Sequence, residues 1–89
     1  MPEVKIIVNH KVGLHARPAA TFVKAANQFK SNIQVATAER SVNAKSILSV
    51  LTLGVNQGTE ITINAEGEDA ETALQALVAL VEDNFGEAE

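Results

Sequence analysis

Two periods of apolar spacing alternate along this chain of 89 residues. Val4, Ile6 and Val8 alternate with Lys5, Ile7 and Asn9, and a period of two predicts a strand with one apolar face. After a loop from Asn9 to Gly13 the period changes. Ala19, Phe22, Val23, Ala26 and Phe29 recur at spacings of three and four, with Lys24, Asn27 and Gln28 on the other side. This predicts a helix that starts near Ala16 and ends near Lys30 to Asn32. Ile33, Val35 and Thr37 alternate once more, and the short run Ser41 to Asn43 follows through Ala38, Glu39 and Arg40, so the pair reads as a hairpin. Ser46 is placed to cap a helix from Ile47 to Leu53, which Gly54 would close in the left-handed conformation. That helix carries Ile47, Leu48, Val50, Leu51 and Leu53, too many for one stripe of two turns, so some of them, Leu48 above all, should stay exposed. Asn56, Gln57 and Gly58 make a turn. Ile61, Ile63 and Ala65 then alternate with polar partners until Gly67. Asp69 is placed to cap a last helix, in which Ala70, Ala73, Leu74, Leu77, Val78, Val81 and Phe85 repeat at three and four, with Gly86 beyond its end.

The predicted order is βαββαβα. Strands apolar on alternate residues belong to an antiparallel sheet with one solvated face, so the helices must share the other face. The expected fold is therefore α+β, an open-faced sandwich, and no repeat or linker divides residues 1–89. A domain of this length buries only about 60% of its unfolded surface, which places its chemistry at the surface rather than in an enclosed cavity.

Charge and composition remove several classes of function. Seven basic residues against eleven acidic ones give a net charge of −4, the wrong sign for a nucleic-acid binder. The acids concentrate after Glu66, whereas Lys11, Arg17, Lys24, Lys30, Arg40 and Lys45 lie in the first half, so the surface there can be locally basic. There is no cysteine, and two histidines make a poor metal site. Met1 to Lys5 lacks a signal-peptide pattern and no apolar run reaches membrane-spanning length. A soluble cytoplasmic protein that does not engage membranes is expected.

Gly13-Leu14-His15-Ala16-Arg17-Pro18-Ala19 carries the candidate chemistry. Pro is tolerated in a helix's first turn, so the helix opens here, with His15 just ahead of it. The first N–H groups of a helix lack intrahelical partners and the dipole is positive there, so an anion held on His15 would meet backbone donors, and Arg17 adds a guanidinium fork. Phosphate is the anion that fits. A lone histidine in a loop is ordinarily a plain surface residue, and His10, at the end of the first strand, is read as one. The whole string separates His15 from that case: Gly13 for a permissive turn, Leu14 as an apolar anchor before the helix, then His15, Arg17 and Pro18 at its opening.

Gly13 to Ala20 resembles the active-site signature of the HPr family, the phosphocarriers of the bacterial phosphoenolpyruvate-dependent sugar phosphotransferase system. Val42 to Gly54 resembles that family's second signature at the right distance, and the similarity covers essentially the whole chain. It implies four antiparallel strands covered on one face by three helices. It also implies reversible phosphorylation of His15, assisted by Arg17 and the helix start at Ala16, with the phosphoryl group taken from enzyme I and given to enzyme IIA domains. Such a protein is a carrier in a relay more than an independent enzyme. It needs no bound cofactor or metal and acts as a monomer. Ala16, Ala20, Thr21 and Lys24, with Ile47, Leu48 and Leu51, correspond to the family's docking surface, although spacing alone favours core packing for Ile47 and Leu51. Ser46 matches a serine that a dedicated kinase phosphorylates in many Gram-positive relatives. That correspondence would add a serine kinase and phosphatase and a transcriptional regulator as partners, whereas its residue type alone makes it a helix cap. A nitrogen-branch regulatory paralogue and a non-catalytic interaction module are the alternatives, and the presence of His15 and Arg17 argues against the second.

Overall fold

The computed structural model describes residues 3–11 and 13–86. Its elements are β1 (Glu3–Ile7), α1 (Ala16–Ala26), β2 (Asn32–Ala36), β3 (Ser41–Asn43), α2 (Ile47–Leu51), β4 (Glu60–Glu66) and α3 (Ala70–Glu82), followed by a 3-10 turn at Asn84–Gly86. The strands form one sheet in the order β1-β4-β2-β3, and each neighbouring pair is antiparallel. β2 and β3 make the expected hairpin, with Val35 opposite Val42.

β4 comes last among the strands in sequence yet enters between β1 and β2, with Ile63 opposite Val4 on one side and Val35 on the other. Its inward residues Ile61, Ile63 and Ala65 are fully buried, whereas Val4 and Ile6 on the edge strand β1 are only half-covered. Phe22 of α1, Val50 of α2 and Leu77 of α3 complete the core above this apolar face. Lys5, Thr62 and Gln34 take the alternate, outward positions of their strands. The fold is the α+β open-faced sandwich that the alternation implied.

Helix ends depart from the periodicity. α1 stops at Ala26, well before Lys30. Beyond it, Gln28 and Phe29 donate N–H groups only three residues back, to Ala25 and Ala26, and the Asn27 side-chain amide donates to the carbonyls of Val23 and Lys45. The Lys45 ammonium donates to the Phe29 carbonyl at 2.6 Å, placing a cation where the helix dipole is negative. Phe29 still packs on the core, so the apolar stripe outlasts the helix that first carries it. α2 is shorter than Ile47 to Leu53, and Gly54, at φ +67°, takes the left-handed conformation expected of it. Phe85 does not belong to α3. It is buried from the 3-10 turn, where Asn84 and Phe85 have φ of 53° and 59°.

The expected capping by Asp69 is also corrected. Asp69 stands at the N-cap of α3, but its side chain makes no capping bond, and its backbone lies outside the extended conformation that turns a cap toward the helix. Its carboxylate accepts instead from the Lys30 and Ser31 N–H groups, both at 2.9 Å, and from the Ser31 hydroxyl. These bonds, the Ser31 hydroxyl first among them, hold its pKa down at about 2.

Candidate functional site

The loop ahead of α1 is built to deliver one side chain to solvent. Gly13 has φ +66°, and a Cβ there would lie 2.2 Å from the Val55 carbonyl oxygen, so both backbone conformation and close approach demand glycine. Its N–H donates to the His10 carbonyl, and the next N–H, that of Leu14, donates to the Val55 carbonyl at 3.0 Å. Leu14 is buried, which anchors the loop on the core immediately before the helix. His15 then takes the N-cap position in extended conformation, its carbonyl accepting the Ala19 N–H at 2.8 Å. The His15 side chain is exposed and makes no capping hydrogen bond.

Pro18 is the third helical residue; it is buried and brings no N–H. The N–H groups of Ala16 and Arg17 lie ahead of the first intrahelical bond and point out of the helix start beside His15. No acidic residue occupies the first turn, so nothing there offsets the positive end of the dipole. Arg17 is exposed two residues after His15 in the chain. The arrangement offers a nucleophilic ring, backbone donors and a guanidinium at an open surface, the requirements for holding a phosphoryl group. Among the described residues, no three His, Cys, Asp or Glu side chains gather as a metal site.

Ala16, Ala20 and Lys24 are exposed on α1 and Thr21 is half-buried, its hydroxyl donating to the Arg17 carbonyl at 3.2 Å. α2 packs against α1 and adds Ile47, Leu48 and Leu51, which are 38%, 76% and 39% exposed. Leu48 is outward as expected. Core packing of Ile47 and Leu51 is overturned, because Val50 takes the inward position of this short helix and Leu53 is buried just past its end, leaving the other three to form an apolar patch. Ser46 caps α2 as predicted, its Oγ accepting the Ser49 N–H at 3.3 Å.

His10 is not a surface residue. It is 4% exposed and its ring meets that of Phe85 edge-on, with centroids 5.7 Å apart. The signal was present in the chain, since Val4, Ile6, Val8 and His10 continue one period-two face past the end of β1.

Fold and site together define a small α+β sandwich whose chemistry is presented on its open surface at one helix start. The family model for the PTS HPr component phosphorylation site matches residues 2–83, and the chain belongs to that family of phosphotransferase-system phosphocarriers. It is 47% identical over 87 residues to the phosphocarrier protein HPr of Xylella fastidiosa strain 9a5c, covering 98% of each chain. It is 46% identical to the HPr-like protein Crh of Bacillus subtilis strain 168, over 93% of this chain and 98% of that one. The solved structure of HPr-C-His from Thermoanaerobacter tengcongensis superposes with a TM-score of 0.96 at 50% identity, over the whole of both chains. An HPr dimer from the same organism has also been solved, so the family is not confined to the monomer expected from the sequence. Among the described residues no helix is long and apolar enough to cross a membrane.

Proposed function

We propose that this protein is a single-domain, cytoplasmic phosphocarrier that accepts a phosphoryl group from phospho-enzyme I on a ring nitrogen of His15 and passes it to sugar-specific enzyme IIA domains. The observation that carries this reading is the exposed His15 side chain at an N-cap position it does not use for capping, beside Arg17 and an uncompensated helix start. In transfer, the neutral ring nitrogen attacks phosphorus, the bond from phosphorus to the donor breaks, and that electron pair leaves with the donor. The Arg17 guanidinium and the N–H groups of Ala16 and Arg17 stabilise the phosphoryl oxygens as charge redistributes. The patch of Ala16, Ala20, Thr21, Lys24, Ile47, Leu48 and Leu51 docks both partners in turn. Its apolar centre supplies contact area, and Lys24 and Arg17 suit acidic surfaces.

Similarity to Bacillus subtilis Crh, whose solution structure is described as a catabolite repression HPr, supports a second, regulatory role, for which Ser46 is the candidate residue. Phosphorylation there by a serine kinase, reversed by a phosphatase, would put negative charge beside the docking patch, weaken the approach of enzyme I and offer a contact to a transcriptional regulator.

The test is incubation with phosphoenolpyruvate and enzyme I. The chain should gain one phosphoryl group that is lost rapidly in acid and kept in alkali, as a phosphoramidate is and a phosphoserine is not. His15→Ala should fold and accept nothing; full labelling of that variant would overturn the assignment.

A further inference from the structure

The loop that presents His15 rests on a stack of three rings. His10 packs edge-on against Phe85 at 5.7 Å and 68°, and Phe85 packs edge-on against Phe22 at 6.5 Å and 74°. Each ring comes from a different part of the chain: His10 from the loop, Phe22 from the inner face of α1 two turns beyond His15, and Phe85 from the turn after α3. Phe85 reaches its place with φ 59° and ψ 28°, a left-handed conformation that is costly for a bulky residue. Asn84 before it also has positive φ. The chain therefore accepts backbone strain to seat this ring under His10, whose carbonyl in turn receives the Gly13 N–H that forms the turn into Leu14 and His15.

We infer that His10 and Phe85 are positioning residues for phosphoryl transfer: with Phe22 they fix the His15 loop against α1, so that the imidazole is held at the helix start it must share with the phosphoryl group. Orientation of this kind changes the rate of the chemical step more than binding, because the docking patch lies on the exposed faces of α1 and α2 and does not include these rings. The inference rests on His15 as acceptor, and its test has one arm that needs the reaction and one that does not.

In the first arm, acceptance from phospho-enzyme I is measured for His10→Ala and for Phe85→Leu, which keeps bulk without a ring. Each should lower kcat about tenfold with KM within about twofold. His10→Phe, which restores a flat ring against Phe85, should return kcat to within about twofold of the unsubstituted chain. Folded variants with unchanged kcat, or a fall in kcat that merely matches the fall in folded fraction, would overturn the inference. In the second arm, amide hydrogen exchange is followed in the absence of enzyme I. Phe85→Leu and His10→Ala should speed exchange at Gly13 and Leu14 by about tenfold or more and leave Ile61 to Ala65 unchanged, as local opening does. Uniform acceleration, or none at the loop, speaks against positioning. If the unsubstituted chain accepts no phosphoryl group, the carrier function fails while exchange still decides whether the rings order the loop. If Phe85→Leu does not fold, His10→Ala and His10→Phe decide both arms.

Discussion

Two helices of this protein begin in opposite ways. His15 and Asp69 each stand at an N-cap position, and neither side chain caps its own helix. Asp69 turns its carboxylate across to Lys30 and Ser31, stitching the start of α3 to the connection between α1 and β2. The first turn of α3 also carries Glu71, so its positive end already faces acidic groups. His15 points to solvent, and the first turn of α1 has no acid at all. One helix start is closed by negative charge from within the fold; the other is left for an anion from outside. Two N-cap positions thus differ in where the side chain goes: one is tied into the fold, and the other is left at the open surface.

Breaking the open end should have the largest effect. His15→Ala should abolish phosphoryl acceptance while shifting the thermal midpoint little, since an exposed ring with no capping bond adds little to packing. A calorimetric melt beside the labelling assay checks both halves.

Arg17→Ala should come next, slowing transfer by about 10²- to 10³-fold, the usual effect of removing one stabilising group from a transition state, again with a near-normal melt. Lys at that position should recover only part of the rate, because it lacks the planar fork. Stopped-flow transfer rates equal to those of the unsubstituted chain would make Arg17 a bystander.

At the closed end the expectation reverses: Asp69→Asn should transfer phosphoryl groups normally but melt at a lower temperature at pH 7. The folded pKa of Asp69, about 2, is depressed below its ordinary 3.8, so the stability it adds is present above pH 4 and is lost as pH falls through 2. Melting curves of the two proteins should therefore converge between about pH 4 and pH 2. A difference that persisted unchanged to pH 2 would show that the carboxylate contributes by shape rather than by charge.

The smallest effect belongs to Ser46, whose bond to the Ser49 N–H is long at 3.3 Å. Ser46→Ala should cost about 0.5 kcal/mol, the low end for a lost cap, and leave transfer intact. Ser46→Asp should keep the cap yet weaken docking to enzyme I at low salt, with the defect shrinking as salt rises. Unchanged affinity at low salt would remove the electrostatic form of the regulatory role.

Much of this contrast was legible before the fold. Alternation in Ile33 to Thr37 and Ile61 to Ala65, and the three-four spacing from Ala19 to Ala26, report which side of each element meets the core, because burial follows backbone periodicity. The motif from Gly13 to Ala19 placed His15 at a helix start, since Gly and Pro restrict the backbone locally. Ends were harder. Phe29 keeps the apolar period after α1 has stopped, and Phe85 keeps it from a left-handed turn, because periodicity records burial and not hydrogen bonding.

By itself, then, the sequence determined whatever depends on neighbours in the chain: the kinds of element and their order, the capping Ser46, the left-handed Gly54, and a histidine just ahead of a proline-containing helix. Tertiary structure alone decided what depends on residues far apart. It put β4 between β1 and β2, drew Asp69 away from its own helix to Ser31, turned Ile47 and Leu51 outward beside α1, and buried His10 against Phe85. Local spacing constrains only dihedral angles and the facing of side chains. The pairing of distant groups is selected by which arrangement of the whole chain covers the most apolar surface while satisfying its buried hydrogen-bonding groups.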